Sequence, residues 1–267
     1  MSSQNTPPSK RERREAARAE RIEREQSAAA SDARRRRLLQ LGGLLAGAVV
    51  VVVIAIVVST GGGKSGGGSS NITGAADTKA LIGGIPQKGI TLGKPDAPVT
   101  IVEFADPQCP FCKEYTLNEL PTVIQKYVRT GKAKMDLRWL TFIGPDSVTG
   151  AGVLEAAGQQ NKMWNAADLL YRNQGEENSG YMTDAFLTNV LKGVGADAPK
   201  AIAGAGSSYV SQQIGAAKTL SSRYAVTGTP TILVGPTGGT LKKDPESAPT
   251  AAGIGKMIDA AQGASGT

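Results

Sequence analysis

Cys109 and Cys112 are the only two cysteines in a chain of 267 residues, and two residues separate them. At this spacing two thiols can close a disulfide bond or open to a dithiol, so any sulfur redox chemistry of the chain must take place here. A disulfide across so short a loop contributes about 2 kcal/mol to stability in the chain-entropy model, against about 3 kcal/mol for a fifteen-residue loop. The spacing therefore favours a working redox pair over a stabilising cross-link.

The chain contains no histidine. This excludes a Ser-His-Asp triad, a Cys-His dyad and every metal site built on histidine. A structural zinc ion normally takes four cysteine or histidine ligands, and this chain offers two cysteines. The sequence therefore predicts no metal and no cofactor other than the redox-active pair itself.

The residues around the pair predict where each sulfur lies. Residues 98–104 are β-branched and apolar and predict a buried strand. Pro110 suits the first position of the helix that follows, which places the Cys109 sulfur at a helix N-terminus. Free backbone N–H groups and the helix dipole stabilise a thiolate there, and such cysteines have pKa values of about 3.5 to 7.5. Cys112, one turn into the helix, is then the shielded partner.

The remaining elements follow from apolar periodicity and from glycine and proline positions. The first helix is predicted to run from 110 to about 129 with a kink at Pro121. The apolar side chains of the later helices, among them Met163, Trp164, Leu169, Leu170 and Tyr171, are interpreted as core. Further strands are predicted at 133–142, 231–234 and 240–243, a helical region at about 146–225, and a last helix at about 251–261.

Two motifs together resemble a known superfamily. Cys-Pro-Phe-Cys at residues 109–112, at a strand-to-helix turn, and Gly-Thr-Pro-Thr at 228–231, before a later strand, resemble the thioredoxin superfamily. The helical stretch between the two halves resembles the DsbA-like branch, as do the runs 93–99 and 142–147. This resemblance covers residues 84–262. It implies an α/β class protein, a thioredoxin fold with an inserted helical domain, acting as a thiol-disulfide oxidoreductase.

The resemblance also implies roles for single residues. Pro230 would follow a cis peptide bond, and Thr229 would then offer its backbone to an extended substrate; a trans proline at the start of a strand is the alternative. Glu103 would be the buried acid that relays a proton from Cys112, unless it is a carboxylate exposed at the strand end. Pro110 and Phe111 would tune the pair. Strongly oxidising members of the branch have a histidine where this chain has Phe111, which leaves the direction of electron flow open.

The N-terminal part of the chain is organised differently. Residues 1–37 carry a net charge of +5 out of the chain's +7 and predict a charged cytoplasmic tail, so the basic composition indicates no nucleic-acid partner. Residues 38–58 are uncharged and long enough to cross a bilayer. Four arginines precede this run, so the positive-inside rule predicts a single transmembrane helix, a signal-anchor in the cell membrane with the rest of the chain extracytoplasmic. A cleaved signal peptide is the alternative.

The domain boundaries complete the sequence-based description. Residues 59–83 are predicted to be a Gly/Ser-rich linker, 84–262 the thioredoxin-like domain, and 263–267 a tail. The predicted function is a membrane-anchored oxidase that forms disulfides in exported, unfolded thiol-containing proteins and is reoxidised by a quinone-linked membrane partner. A disulfide reductase or isomerase, and a non-catalytic binding module with a fixed disulfide, are the alternatives.

Overall fold

A computed structural model describes residues 71–264 of the chain. It contains both helices and strands, with short strands near both ends of the described region. The strands are β1 (Gln87–Lys88), β2 (Thr91–Leu92), β3 (Val99–Ala105), β4 (Ala133–Trp139), β5 (Thr231–Pro236) and β6 (Lys242–Lys243). The helices are α1 (Ala75–Ile82), α2 (Pro110–Asn118), α3 (Leu120–Val123), α4 (Pro145–Gly158), α5 (Met163–Arg172), α6 (Asp184–Gly193), α7 (Ala198–Gly204), α8 (Ser208–Arg223) and α9 (Ala251–Ala264).

The strands form one mixed sheet in the order β1-β2-β4-β3-β5-β6. Strand β3 lies inside the sheet, parallel to β4 and antiparallel to β5. Its apolar sequence fits this place, because a central strand covered on both faces needs side chains that tolerate burial on both sides. The strands predicted at 98–104, 133–142, 231–234 and 240–243 are confirmed, with ends shifted by a few residues.

The two faces of β3 bury different cores. Ile101 and Ala105 pack into the larger core, together with the inserted helices, whereas Val102 and Phe104 pack into a smaller core on the opposite face. This alternation follows from the two-residue period of a strand. Glu103, between Val102 and Phe104 in sequence, points to the side of the larger core.

The helix after β3 is broken where proline predicts a kink. Helix α2 ends at Asn118, α3 begins at Leu120, and a π-helical turn follows at Ile124–Val128. Pro121 causes the break because it has no N–H to donate to residue 117 and its ring crowds that carbonyl. The single kinked helix predicted for residues 110–129 is therefore three successive pieces.

The inserted region consists of helices α4 to α8 between β4 and β5. The side chains of α5 that were interpreted as core are buried, and Trp164 and Tyr171 are among the largest fully buried residues of the described region. The prediction that these side chains belong to the core is confirmed. Its last turn reaches the neighbourhood of the cysteine pair.

Helix α1 corrects one predicted boundary. Residues 59–83 were predicted to be linker, but Leu81 and Ile82 are buried in the larger core, and the Thr78 hydroxyl donates a hydrogen bond to Asp168 of α5. The Gly/Ser composition that predicts a tether ends before this segment, and Leu81 and Ile82 dock a helix of about two turns. The folded domain therefore begins before residue 84.

The predicted tail at 1–37, the anchor at 38–58 and the linker up to residue 70 lie outside the described residues, as do the last three residues of the chain. Within the described part, none of the helices has both the length and the apolar character that a membrane span requires.

Candidate active site

Cys109 occupies the N-cap of α2, directly after the turn that follows β3. Its Sγ accepts a hydrogen bond from the backbone N–H of Cys112 at 3.3 Å. Pro110 takes the first helical position, where its missing N–H costs nothing. Both cysteines are free thiols in this structure. The predicted placement of Cys109 at a helix N-terminus is therefore confirmed.

The two thiols have opposite acidities. The pKa of Cys109 is lowered from its ordinary 9.0 to about 6, chiefly by the hydrogen bond with the Cys112 side chain. Hydrogen bonds with Thr229 and with the backbone N–H groups of Cys112 and Phe111 lower the pKa further, whereas burial of the thiol raises it. Burial raises the pKa of Cys112 well above the ordinary value, and hydrogen bonding and charge from Cys109 raise it further. One thiol is therefore a nucleophile at neutral pH and the other holds its proton.

The loop before β5 faces this nucleophile. The Thr229–Pro230 peptide bond is cis, as predicted. The carbonyl oxygen of Thr229 lies 3.3 Å from the Sγ of Cys109, across 120 positions of sequence. The antiparallel pairing of β3 with β5, which sets Phe104 opposite Thr231, brings this loop to the end of β3 where the cysteines begin.

Glu103 is buried, as the resemblance implies. Its side chain is 1% exposed, and one carboxylate oxygen has no hydrogen-bond partner. Burial raises the pKa of this carboxyl from 4.5 to about 8, so it is mostly protonated at neutral pH. A neutral buried acid can both give and take a proton near pH 7. Tyr115 and Tyr171 each lie within electrostatic range of both Glu103 and Cys112.

Asp106 organises the turn between β3 and the cysteines. It is fully buried, and its carboxylate accepts hydrogen bonds from the Gln108 backbone N–H at 2.9 Å, the Ser147 hydroxyl at 2.6 Å and the Ile143 backbone N–H at 3.3 Å. The Tyr171 hydroxyl donates to the Asp106 carbonyl oxygen at 2.9 Å. Sequence reasoning did not single out Asp106, because its Asp-Pro-Gln context indicates only a turn.

Gln174 is a second residue that sequence reasoning missed. It follows α5, and its side-chain N–H₂ donates to the carbonyl oxygens of Pro107 and Cys109, at 3.0 and 3.1 Å. The inserted helical region therefore holds the backbone on both sides of Gln108. No local pattern marks a glutamine 65 residues away from the site as its partner.

These observations are matched by comparison with known proteins. A family model described as Thioredoxin matches residues 86–260. The chain belongs to the thioredoxin family. The predicted thioredoxin-like α/β fold is confirmed.

Relatives and solved structures extend the comparison. A relative in Bacillus cereus, called probable disulfide bond formation protein D, is 36% identical over 104 residues, which are 38% of this chain and 48% of the relative. The chain therefore spans about half the length of this curated relative. Oxidised BdbD of Bacillus subtilis is 23% identical with a TM-score of 0.57, covering 66% of this chain and 96% of that one. DsbA of Chlamydia trachomatis is 21% identical with a TM-score of 0.56, covering 66% and 92%. Both structures show the same fold.

A groove of about 460 Å³ opens beside the cysteine turn of this thioredoxin domain. Its apolar walls include Tyr115, Pro230, Ala248 and Pro249. Phe111, 72% exposed, lies at its edge. Phe111 therefore places an exposed apolar side chain next to the apolar walls of the groove.

Proposed function

We propose that the protein is a thiol-disulfide oxidoreductase that acts through Cys109 and Cys112. The observation that carries this proposal is the contrast between an acidic Cys109 thiol at a helix N-terminus and a buried, proton-holding Cys112 beside it. Only a thiolate attacks or leaves rapidly in disulfide exchange, and these properties assign that part to Cys109. Within residues 71–264, no group of three or more acidic, cysteine or histidine side chains is arranged to hold a metal ion.

In the oxidising direction a substrate thiolate attacks the Sγ of Cys109 in the closed disulfide. The Cys109–Cys112 bond breaks, a substrate–Cys109 disulfide forms, and Cys112 leaves with the electron pair and takes up a proton. Glu103, neutral and buried nearby, is the proposed source of that proton. A second substrate thiolate then attacks the substrate sulfur of the mixed disulfide and releases Cys109. The substrate is oxidised by two electrons and the protein is reduced to its dithiol.

The net direction is proposed to be oxidation of exported proteins. One support is the stabilised Cys109 thiolate, because it favours the reduced protein and therefore electron uptake from substrates. The other is the relative in Bacillus cereus that is called a probable disulfide bond formation protein. The proposed location is the cell membrane, with the N-terminus cytoplasmic and the catalytic domain outside, supported by the uncharged run at 38–58 after four arginines. A quinone-linked membrane protein is the proposed oxidant that regenerates the disulfide.

The reduction potential separates oxidase from reductase. The reduction potential is measured by equilibration with glutathione buffers, followed by alkylation and a gel-shift assay. Known couples lie at about −120 mV for a strong oxidase and about −270 mV for a reductase. We expect a value above about −200 mV. Thiol trapping in intact cells should then find the Cys109–Cys112 pair mainly oxidised, and a mainly reduced pair would contradict the proposed direction.

Phe111 favours a second candidate, a reductase or isomerase. Its side chain carries no hydrogen-bond donor, so the thiolate receives no side-chain stabilisation from the residue between Pro110 and Cys112. The reduced protein is then less favoured than in relatives with a donor at that position. A potential near about −270 mV with rapid reduction of insulin would establish this candidate. A binding module with a fixed disulfide would show neither exchange with model disulfides nor a lowered pKa at Cys109.

A further inference from the structure

The groove beside Cys109 combines apolar walls with negative charge. Among the described residues that line it, the charged ones are Glu114 and Glu119, and both are acidic. Its lining also includes Thr229, whose carbonyl oxygen lies 3.3 Å from the Cys109 sulfur. The groove therefore reaches the loop that faces the Cys109 sulfur, and both charged side chains in its lining are acidic.

We infer that this groove selects substrates with a lysine or arginine close to the reacting cysteine, an inference that rests on the proposed function. A long basic side chain has an aliphatic stem that packs on apolar walls and a cationic head that pairs with carboxylates. Tyr115 and Pro249 provide such walls, and Glu114 and Glu119 provide the carboxylates. An acidic side chain in the same place would meet two like charges.

The two carboxylates are held in place but retain acceptor capacity. One oxygen of Glu114 accepts a hydrogen bond from the Asn118 side chain at 2.8 Å, and one oxygen of Glu119 accepts the backbone N–H of Ala251 at 2.7 Å. An ionised carboxylate accepts about four hydrogen bonds, so each can take a further donor from a guanidinium or an ammonium group. These contacts fix the positions of the acids without neutralising them.

The position of the basic residue follows from chain geometry. An extended polypeptide advances about 3.3 Å per residue, and its mixed disulfide fixes one residue at Cys109. Phe111, Glu114 and Asn118 lie along the same helix, so the lining of the groove runs away from Cys109 over about two turns, roughly 12 Å. The selected residue is therefore within about three positions of the substrate cysteine.

Peptide kinetics test the inference. Two dithiol peptides are compared, identical except for Arg or Glu two residues from the first cysteine, each mixed with the oxidised full-length protein. For each protein, the rate with the Arg peptide is divided by the rate with the Glu peptide. The neighbouring charge also changes the reactivity of the peptide thiol itself, so this Arg-to-Glu ratio of the wild type is then divided by the ratio of Glu114→Gln, which cancels that effect. We expect this double ratio to be about threefold at low salt, the size of one exposed ion pair, and close to one in 1 M NaCl.

Two further variants make the outcome decisive. Glu114→Lys should lower the Arg-to-Glu ratio below that of Glu114→Gln, whereas Asp259→Asn, an exposed acid on α9 that does not line the groove, should leave the wild-type ratio unchanged. A double ratio of one at low salt would overturn the inference while leaving the proposed function intact. Absence of reaction with both peptides would overturn the proposed function itself. Concentration-dependent dimers that Glu114→Lys abolishes would assign the groove to a second copy of the chain and also overturn the inference.

Discussion

At the scale of the residue, Cys109 depends on Cys112 for its acidity. The Cys112 side chain is the largest cause that lowers the Cys109 pKa to about 6, so Cys112→Ala should raise this pKa while leaving the helix N-terminus in place. Thiolate absorbance at 240 nm, followed against pH, measures it directly. In the wild type we expect a first transition near pH 6. A single transition near the ordinary thiol value, unchanged by the substitution, would contradict the assignment of Cys109 as nucleophile.

Glu103 should make the stability of the protein depend on pH. Its pKa in the folded state, about 8, lies above the ordinary 4.5, so the folded state binds the extra proton. The contribution of Glu103 is therefore fully present below pH 4.5 and is lost as pH rises through about 8, on the order of 5 kcal/mol in all. The Gln side chain of Glu103→Gln cannot ionise. The free energy of unfolding of this variant should therefore fall less between pH 5 and pH 9 than that of the wild type.

Urea denaturation at several pH values measures this difference. Glu155, also buried with a pKa raised to about 7 by burial, adds its own pH dependence to both proteins. The difference between wild type and Glu103→Gln removes that background, and Glu155→Gln serves as the matched control outside the site. If the two curves run parallel from pH 5 to pH 9, Glu103 is not the buried acid described above.

At the scale of the element, the inserted helices hold the active-site turn through Gln174. Gln174→Ala removes the donor shared by the Pro107 and Cys109 carbonyl oxygens. We expect a loss of about 1 to 3 kcal/mol in the free energy of unfolding, because part-buried acceptors lose their partner. We also expect a higher Cys109 pKa, because the turn no longer holds the Cys112 N–H against the sulfur.

The free energy of unfolding and the Cys109 pKa, measured together, show whether Gln174 holds the active-site turn or only contributes to packing. Gln262→Ala, which alters a weakly held side chain near the end of α9, should change neither stability nor the Cys109 pKa. Gln174→Glu keeps the shape but places a carboxylate against two carbonyl oxygens, so it should be at least as damaging as alanine. If Gln174→Ala lowers the free energy of unfolding but leaves the Cys109 pKa unchanged, Gln174 stabilises the fold without influencing the reactive thiol.

At the scale of the whole molecule, the domain includes helix α1. Ile82 is 2% exposed in the larger core, so Ile82→Ala should reduce the free energy of unfolding by about 3 kcal/mol. Lys79→Ala changes an exposed residue of the same helix and should be neutral to within about 0.5 kcal/mol. Equal denaturation midpoints for both variants would mean that this segment is a tether after all.

The sequence determined the elements that local physics controls. The buried strand at 98–104, the helix start at Pro110, the break at Pro121 and the core residues of α5 each follow from a short-range pattern, and the structure contains all four. Strands β1 and β2 were missed because two residues carry no periodicity. Helix α1 was missed because the linker prediction extended the Gly/Ser composition of residues 59–74 to residues 75–82.

Within the site, the amino-acid composition already limits sulfur chemistry to Cys109 and Cys112, since the chain has no other thiol. The family resemblance implied that Thr229 belongs to the site, but the folded structure shows which of its atoms contacts Cys109 and that Gln174 also takes part. The Thr229 carbonyl oxygen and the Gln174 amide reach Cys109 from 120 and 65 positions away, through sheet pairing and helix packing. A local sequence pattern does not predict such contacts. They form because whole helices and strands pack together to bury apolar surface, and the residues in contact contribute little of that free energy.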